Sequence, residues 1–203
     1  MTRVILIVLA LMTTCVLAQN VVFIGKAHGY KGKPAELWAS FDADDNPSAA
    51  EKIGDIGADG RFRFTLPAVI PDQVLAAPEV GLDCGDSTLG LKLAVLTTIN
   101  LRQNNTTLGQ MFFSNRLANF EDMISGLLEG SSKFVLWFYA NKAGFIKENC
   151  TDKNNQRISD VTFVQGWNAI GGYYFKNGDK VILKIKNGYT EGLQRWFYLA
   201  IPQ

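Results

Sequence analysis

Few residues of this sequence could do chemistry: one histidine, three cysteines and scattered carboxylates. His28 stands beside Gly29, in a turn-like segment that places it at a strand end or on the surface. A serine or cysteine nucleophile needs a histidine and an acid as partners, and the chain contains no Gly-x-Ser-x-Gly elbow. It contains no phosphate-binding glycine loop and no His-Glu-x-x-His run either. The sequence therefore predicts a protein that is not an enzyme and holds no cofactor.

Carboxylates leave one catalytic alternative open. Two suitably spaced acids are enough for glycoside hydrolysis, and the chain has 19 Asp and Glu residues. Asp42, Asp44 and Asp45 stand together on one polar segment and are a weak calcium candidate, because hard oxygen ligands suit that ion. The segment lacks the spacing of an EF-hand loop, and Asp-rich loops between strands are mostly turns.

The first 18 residues are typical of a secretory signal peptide. Arg3 gives a basic start, an apolar run follows over residues 4–12, and Ala18 ends a segment of small residues suited to cleavage. The apolar run is too short to cross a bilayer as a helix. Two alternatives remain: lipid attachment at Cys15, whose flanking residues match a lipoprotein site poorly, and a buried N-terminal strand.

Removal of these residues would leave two cysteines, Cys84 and Cys150. An even pair in an oxidising compartment predicts a disulfide. Two free thiols or a shared metal are weaker alternatives, because the chain has a single histidine and no Cys-x-x-Cys spacing.

Charge and hydropathy limit the partners. The whole chain carries a formal charge of +1, and the loss of Arg3 would bring it to zero. A neutral chain without a basic run predicts no nucleic-acid partner, and no later segment is apolar for long enough to span a membrane. The expected location is secreted, periplasmic or in the cell envelope, with a lipid-anchored form as the minor alternative.

Strand patterns dominate the rest of the chain, and they predict a mainly β fold, one or more β-sandwiches with one short helix. Residues 55–66 give the clearest signal, since Asp59-Gly60 predicts a hairpin turn and Phe62, Phe64 and Leu66 alternate with polar residues. Apolar residues at helical spacing predict the helix between Asn115 and Gly130. Further strands are predicted at residues 21–24, 35–41, 89–101, 110–113, 133–140, 157–164, 166–170, 173–175, 181–185 and 196–199.

Two β regions are expected after the signal peptide, residues 19–75 and 76–203, either as separate units or as one continuous sandwich. Residues 70–87, rich in Pro and Gly, are interpreted as a linker that contains Cys84.

The turn after the first strand and the Asp-Gly-Arg-Phe-x-Phe hairpin at residues 59–64 resemble a carboxypeptidase regulatory-like, transthyretin-like module. The Leu-Trp-Phe-Tyr-Ala run at residues 136–140, followed by a Cys, Gly-Trp-Asn at 166–168 and a final Trp, is similar to a set of uncharacterised exported bacterial proteins. That resemblance implies export and a β fold and implies no activity.

Aromatic residues are the remaining candidates for binding. If one sheet face exposed them together, they would form a stacking platform for a sugar. The alternative is that they fill the core between sheets. The residues of this possible platform are Trp137, Tyr139, Trp167, Trp196 and Tyr198. We therefore expect an exported, non-catalytic β protein with a structural or binding role, whose partner is a polysaccharide or an envelope protein. A carbohydrate-binding protein and a secreted hydrolase are the alternatives.

Overall fold

The computed structural model describes residues 20–41, 50–96, 98–116, 129–188 and 195–201. The predicted mainly β fold is confirmed, because fourteen strands of the described residues are joined by hydrogen bonds into one sheet. The sandwich arrangement stays a prediction. In chain order the strands are β1 (Val21–Lys26), β2 (Ala35–Ala39), β3 (Glu51–Ile56), β4 (Arg61–Leu66), β5 (Gly85–Ser87), β6 (Leu93–Leu96), β7 (Ile99–Gln103), β8 (Thr106–Ser114), β9 (Gly130–Ala140), β10 (Gly144–Asp152), β11 (Asn155–Phe163), β12 (Gly166–Asn177), β13 (Lys180–Asn187) and β14 (Arg195–Ala200).

The first half of the sheet is antiparallel and runs in the order β1-β4-β3-β2-β7-β8, with β14 on the other edge of β8. The predicted hairpin is confirmed: β3 pairs with β4, with Gly54 opposite Phe64. Phe62, Phe64 and Leu66 are buried, as the alternation predicts. His28 forms a bridge to Phe197, so the chain after β1 contacts β14.

Trp196 lies at the centre of the largest core cluster. Its ring stacks on Trp137 with centroids 5.2 Å apart and planes 7° from parallel. Phe62 and Phe64 of β4 meet the same ring edge-on, at 5.6 and 5.5 Å. Phe113 of β8 lies 5.4 Å away. These five aromatic residues come from β4, β8, β9 and β14, so the core joins strands that are far apart in the sequence.

The second half of the sheet is built around β9. This strand pairs with β12 along its whole length, from Gly130 to Ala140, and with β6 on its other edge. From β12 the order continues β13-β11-β10-β5. All these pairs are antiparallel except β11 with β13, which is parallel.

One predicted strand is wrong. Residues 89–101 form two strands: β6 pairs with β9, whereas β7 pairs with β2 and β8. Leu89 lies before both strands in a turn and is 93% exposed. Apolar composition alone could not show that the chain changes partners here, because both strands contribute buried apolar side chains.

The boundary predicted at residue 75 stays a prediction, although β2 on one side of it pairs with β7 on the other. The predicted helix falls mostly on residues 117–128 and the signal peptide on residues 1–18, all outside the described residues. Among the residues that are described, no helix has the length and hydropathy needed to cross a bilayer.

Candidate functional site

The candidate site is built on the β10–β11 hairpin, which turns at residues 153–154. Side chains directly opposite each other in an antiparallel pair share a face of the sheet. Glu148 lies opposite Ser159, and Cys150 lies opposite Arg157. The register therefore places a carboxylate, a hydroxyl, a guanidinium and a cysteine sulfur together on one face.

Glu148 is a buried carboxylate with a charged partner. Its side chain is 3% exposed, whereas that of Arg157 is 47% exposed, and Arg157 Nη2 donates to Glu148 Oε1 at 2.5 Å. The backbone N–H of Gly81 donates to the same oxygen at 3.0 Å. Ser159 Oγ donates to Oε2 over a longer distance, 3.4 Å. The ion pair and these hydrogen bonds compensate the cost of removing the carboxylate from water.

The predicted disulfide between Cys84 and Cys150 is present, with Cα atoms 5.2 Å apart. It brings the segment around Gly81 against β10, where Glu148 Oε1 also lies 3.3 Å from Cys150 Sγ. A Cβ atom added at Gly81 would stand 2.5 Å from both sulfur atoms. Only glycine therefore lets the backbone N–H of residue 81 approach the buried carboxylate beside this disulfide.

The interpretation of residues 70–87 as a linker is wrong. Ala76 and Leu93 form an antiparallel β-bridge, in which the N–H of Ala76 donates to the carbonyl of Leu93 at 2.9 Å and the N–H of Leu93 donates to the carbonyl of Ala76 at 2.7 Å. Further on, β5 pairs with β10. Prolines and glycines made this stretch resemble a connection, but backbone bonds hold it against the sheet as one wall of a cavity.

That cavity has a volume of about 250 Å³ and is called here the Glu148 cavity. Glu148, Arg157 and Ser159 line it together with residues 76–79. The other walls are almost entirely apolar. They are formed by Phe41, Leu93, Ala94, Val95, Phe138, Ile146, Val161, Phe163, Ile170 and Ile185.

Burial differs across the lining of the cavity. Val161, Phe163 and Ile170 are 1 to 3% exposed and belong to one core cluster. Ala77 and Glu79, from the covering segment, are exposed. The cavity therefore extends from the exposed segment inward to the apolar core of the second half of the sheet.

The aromatic residues considered as a possible platform do not form an exposed face. Trp137, Tyr139 and Trp196 are 5, 6 and 9% exposed. Their rings lie in the main core, where removal of large apolar surfaces from water stabilises the fold. A sugar cannot stack on rings that are already covered by other rings, so for these three residues the core alternative is correct and the possible platform is excluded.

Trp167 and Tyr198 are half-buried, and their polar atoms are used within the fold. Trp167 Nε1 donates to the carbonyl of Pro67 at 2.8 Å, and Tyr198 Oη donates to the carbonyl of Leu108 at 2.9 Å. Burial raises the pKa of the Tyr198 hydroxyl above its ordinary value. Each aromatic body faces the core and each polar end reaches a backbone carbonyl.

Other candidate residues from the sequence either fall outside the described residues or do not line the Glu148 cavity. Cys15 and the calcium candidates Asp42, Asp44 and Asp45 fall outside the described residues. The backbone of His28 donates to the carbonyl of Trp196, and His28 does not line the Glu148 cavity. Over the described ranges, no group of three or more His, Cys, Asp or Glu side chains could hold a metal ion.

No family model, no curated protein and no solved structure matches this chain. The resemblance to a carboxypeptidase regulatory-like module therefore stays a prediction.

Glu148, Arg157 and Ser159 were missed because β10 was not predicted. Residues 147–152 are mostly polar and show no apolar alternation. One signal could have found them: two polar residues at 153–154 that close a hairpin ahead of the predicted strand 157–164. With that turn fixed, the register places Glu148 opposite Ser159.

Proposed function

We propose that this chain is an exported, non-catalytic protein that binds a small apolar molecule in the Glu148 cavity. The observation that carries the proposal is the cavity itself, with apolar walls and one compact polar group at Glu148 and Arg157. Binding sites for small molecules have this character: mostly hydrophobic linings with a few placed polar groups that fix orientation.

The size of the cavity limits the ligand. A dry apolar cavity of about 150 Å³ holds benzene. Scaled from that case, the volume of about 250 Å³ accommodates a molecule of roughly ten non-hydrogen atoms. This excludes an oligosaccharide as an enclosed ligand and favours a single small compound.

Three features support the exported, non-catalytic part of the proposal. The first 18 residues have the pattern of a cleaved signal, and the Cys84–Cys150 disulfide suits an oxidising compartment. The only histidine is not a cavity residue, so the lining lacks the commonest catalytic base. An envelope protein that receives the ligand would be the macromolecular partner.

The test uses isotope-labelled protein, expressed with its own first residues and recovered after export. Intact mass gives the N-terminus, any lipid on Cys15 and the oxidation state of the other two cysteines. The protein is then titrated with compounds of about nine non-hydrogen atoms, a size that fits the cavity. We expect saturable amide shifts at residues that line the cavity.

Matched tryptophan variants locate the binding. Ala77 is exposed and lines the cavity, whereas Ala58 is exposed in the turn between β3 and β4. Ala77→Trp is expected to weaken binding at least tenfold by filling the opening, and Ala58→Trp is expected to leave it unchanged. Equal binding by both variants, or no saturable shift with any compound, would refute the proposal.

A further inference from the structure

The polar end of the Glu148 cavity indicates which chemical class of ligand it takes. Glu148 Oε1 accepts hydrogen bonds from Arg157 and Gly81, so its acceptor capacity is largely used. Oε2 accepts one long bond, 3.4 Å from Ser159 Oγ, among the described residues. A carboxylate oxygen has room for about two hydrogen bonds, so Oε2 retains capacity for a donor from a ligand.

Charge distinguishes between the classes of ligand that could donate a hydrogen bond to Glu148 Oε2. Glu148 and Arg157 neutralise each other, and the other residues that line the cavity are uncharged apart from Glu79, which is exposed on the covering segment. An ammonium or carboxylate group brought into this apolar space would be left without a counter-charge of its own, which is costly. A hydroxyl group carries no charge and donates one hydrogen bond, which is the number that Oε2 can still accept.

We propose that the Glu148 cavity selects an uncharged, apolar alcohol or phenol of roughly ten non-hydrogen atoms, whose hydroxyl donates to Glu148 Oε2. This inference rests on the proposed function, because it names the ligand class of the same cavity. The half-exposed Arg157 guanidinium lies beside the carboxylate and can donate to the oxygen of the same hydroxyl, whereas the single proton of Ser159 Oγ is already donated to Glu148 Oε2.

Four probes with equal numbers of non-hydrogen atoms test the class: n-octanol, heptyl methyl ether, n-octylamine and heptanoate. The ether has the shape of the alcohol but no donor, and the last two are charged at pH 7. Titrations followed by amide shifts give the four dissociation constants. We expect n-octanol to bind at least about tenfold more tightly than the ether, the ratio that a hydrogen bond to a charged group provides.

A pair of glutamate variants tests the residue. Glu148→Gln keeps the size of the side chain and removes its charge, so the preference for the alcohol should fall to about threefold or less. Glu51→Gln removes a charge from an exposed position on β3 and should leave the preference unchanged. If Glu148→Gln does not fold, the dissociation constants of the four probes on the unmodified protein still test whether the cavity prefers an alcohol.

The outcomes separate the two proposals. Equal binding of the ether and the alcohol, or tightest binding of a charged probe, overturns the alcohol class while the cavity remains a binding site. A preference for the alcohol that survives in Glu148→Gln overturns the role of that residue. Failure of all four probes to bind overturns the proposed function itself.

Discussion

Replacement of both cysteines tests whether the disulfide stabilises the protein by restraining the unfolded chain. Cys84 and Cys150 are 66 residues apart in sequence. In the chain-entropy model, a loop of that length contributes about 4 kcal/mol to the free energy of unfolding. For a protein of this size, 1 kcal/mol shifts the melting temperature by about 2–4 °C, so the expected loss is roughly 10 °C.

The native structure predicts that the variant keeps its fold. Cys84 is exposed and Cys150 half-buried, so Cys84→Ser with Cys150→Ser removes little packing. Backbone bonds hold the same contact without the disulfide: Asn149 N–H donates to the carbonyl of Cys84 at 2.9 Å, and β5 pairs with β10. The effect should therefore come mainly from the greater freedom of the unfolded chain.

Urea unfolding at pH 7, followed by far-ultraviolet circular dichroism, measures the difference. Unmodified protein treated with a dithiol should lose the same stability as the double variant, and the double variant should not respond to the dithiol. A loss below about 1 kcal/mol would refute the reasoning, because the cross-link would then restrain little of the unfolded chain. A large loss of native circular dichroism in the variant would refute the claim that backbone bonds suffice.

Two further predictions concern the core. Gly172→Ala should lower the free energy of unfolding in urea by about 1–3 kcal/mol, because the added Cβ would stand 2.1 Å from the ring of Phe134. Adding Phe134→Leu should recover part of that loss. If the effects of the two substitutions on the free energy of unfolding simply add, the contact is contradicted. Stability should also fall as pH rises above about 10, the ordinary pKa of tyrosine. Burial raises the pKa of Tyr198 and Tyr30 in the folded protein, so these tyrosines ionise first in the unfolded chain, which is thereby favoured. In Tyr198→Phe the fall should be shallower than in the unmodified protein, and parallel curves would contradict this assignment.

Local patterns predicted several strands well. The alternation at Arg61–Leu66 placed the right side chains in the core, and residues 133–140 were correctly predicted as a strand within the sheet. Trp196 to Leu199 were likewise predicted as a strand, and they lie within β14. Such patterns work because successive side chains of a strand point to opposite faces, so sequence records which face is buried.

Pairing partners could not be predicted in the same way. Nothing in the sequence joins β11 to β13 in parallel or separates β6 from β7, because partner choice depends on every strand that competes for an edge. The aromatic residues show the same limit. Trp137 and Trp196 could have stood on an exposed face or in the core, and only the meeting of β4, β8, β9 and β14 buries them.

The sequence by itself determined a β-rich chain, the strand positions with clear alternation and the pair of cysteines. Tertiary structure alone decided that Glu148 is buried, that the backbone N–H of Gly81 donates to it and that it lines an apolar cavity. The physical reason is that a carboxylate in a polar stretch has no distinguishing pattern. Its backbone donor, Gly81, lies 67 positions away in the chain, whereas Arg157 and Ser159 lie 9 and 11 positions away in the same hairpin.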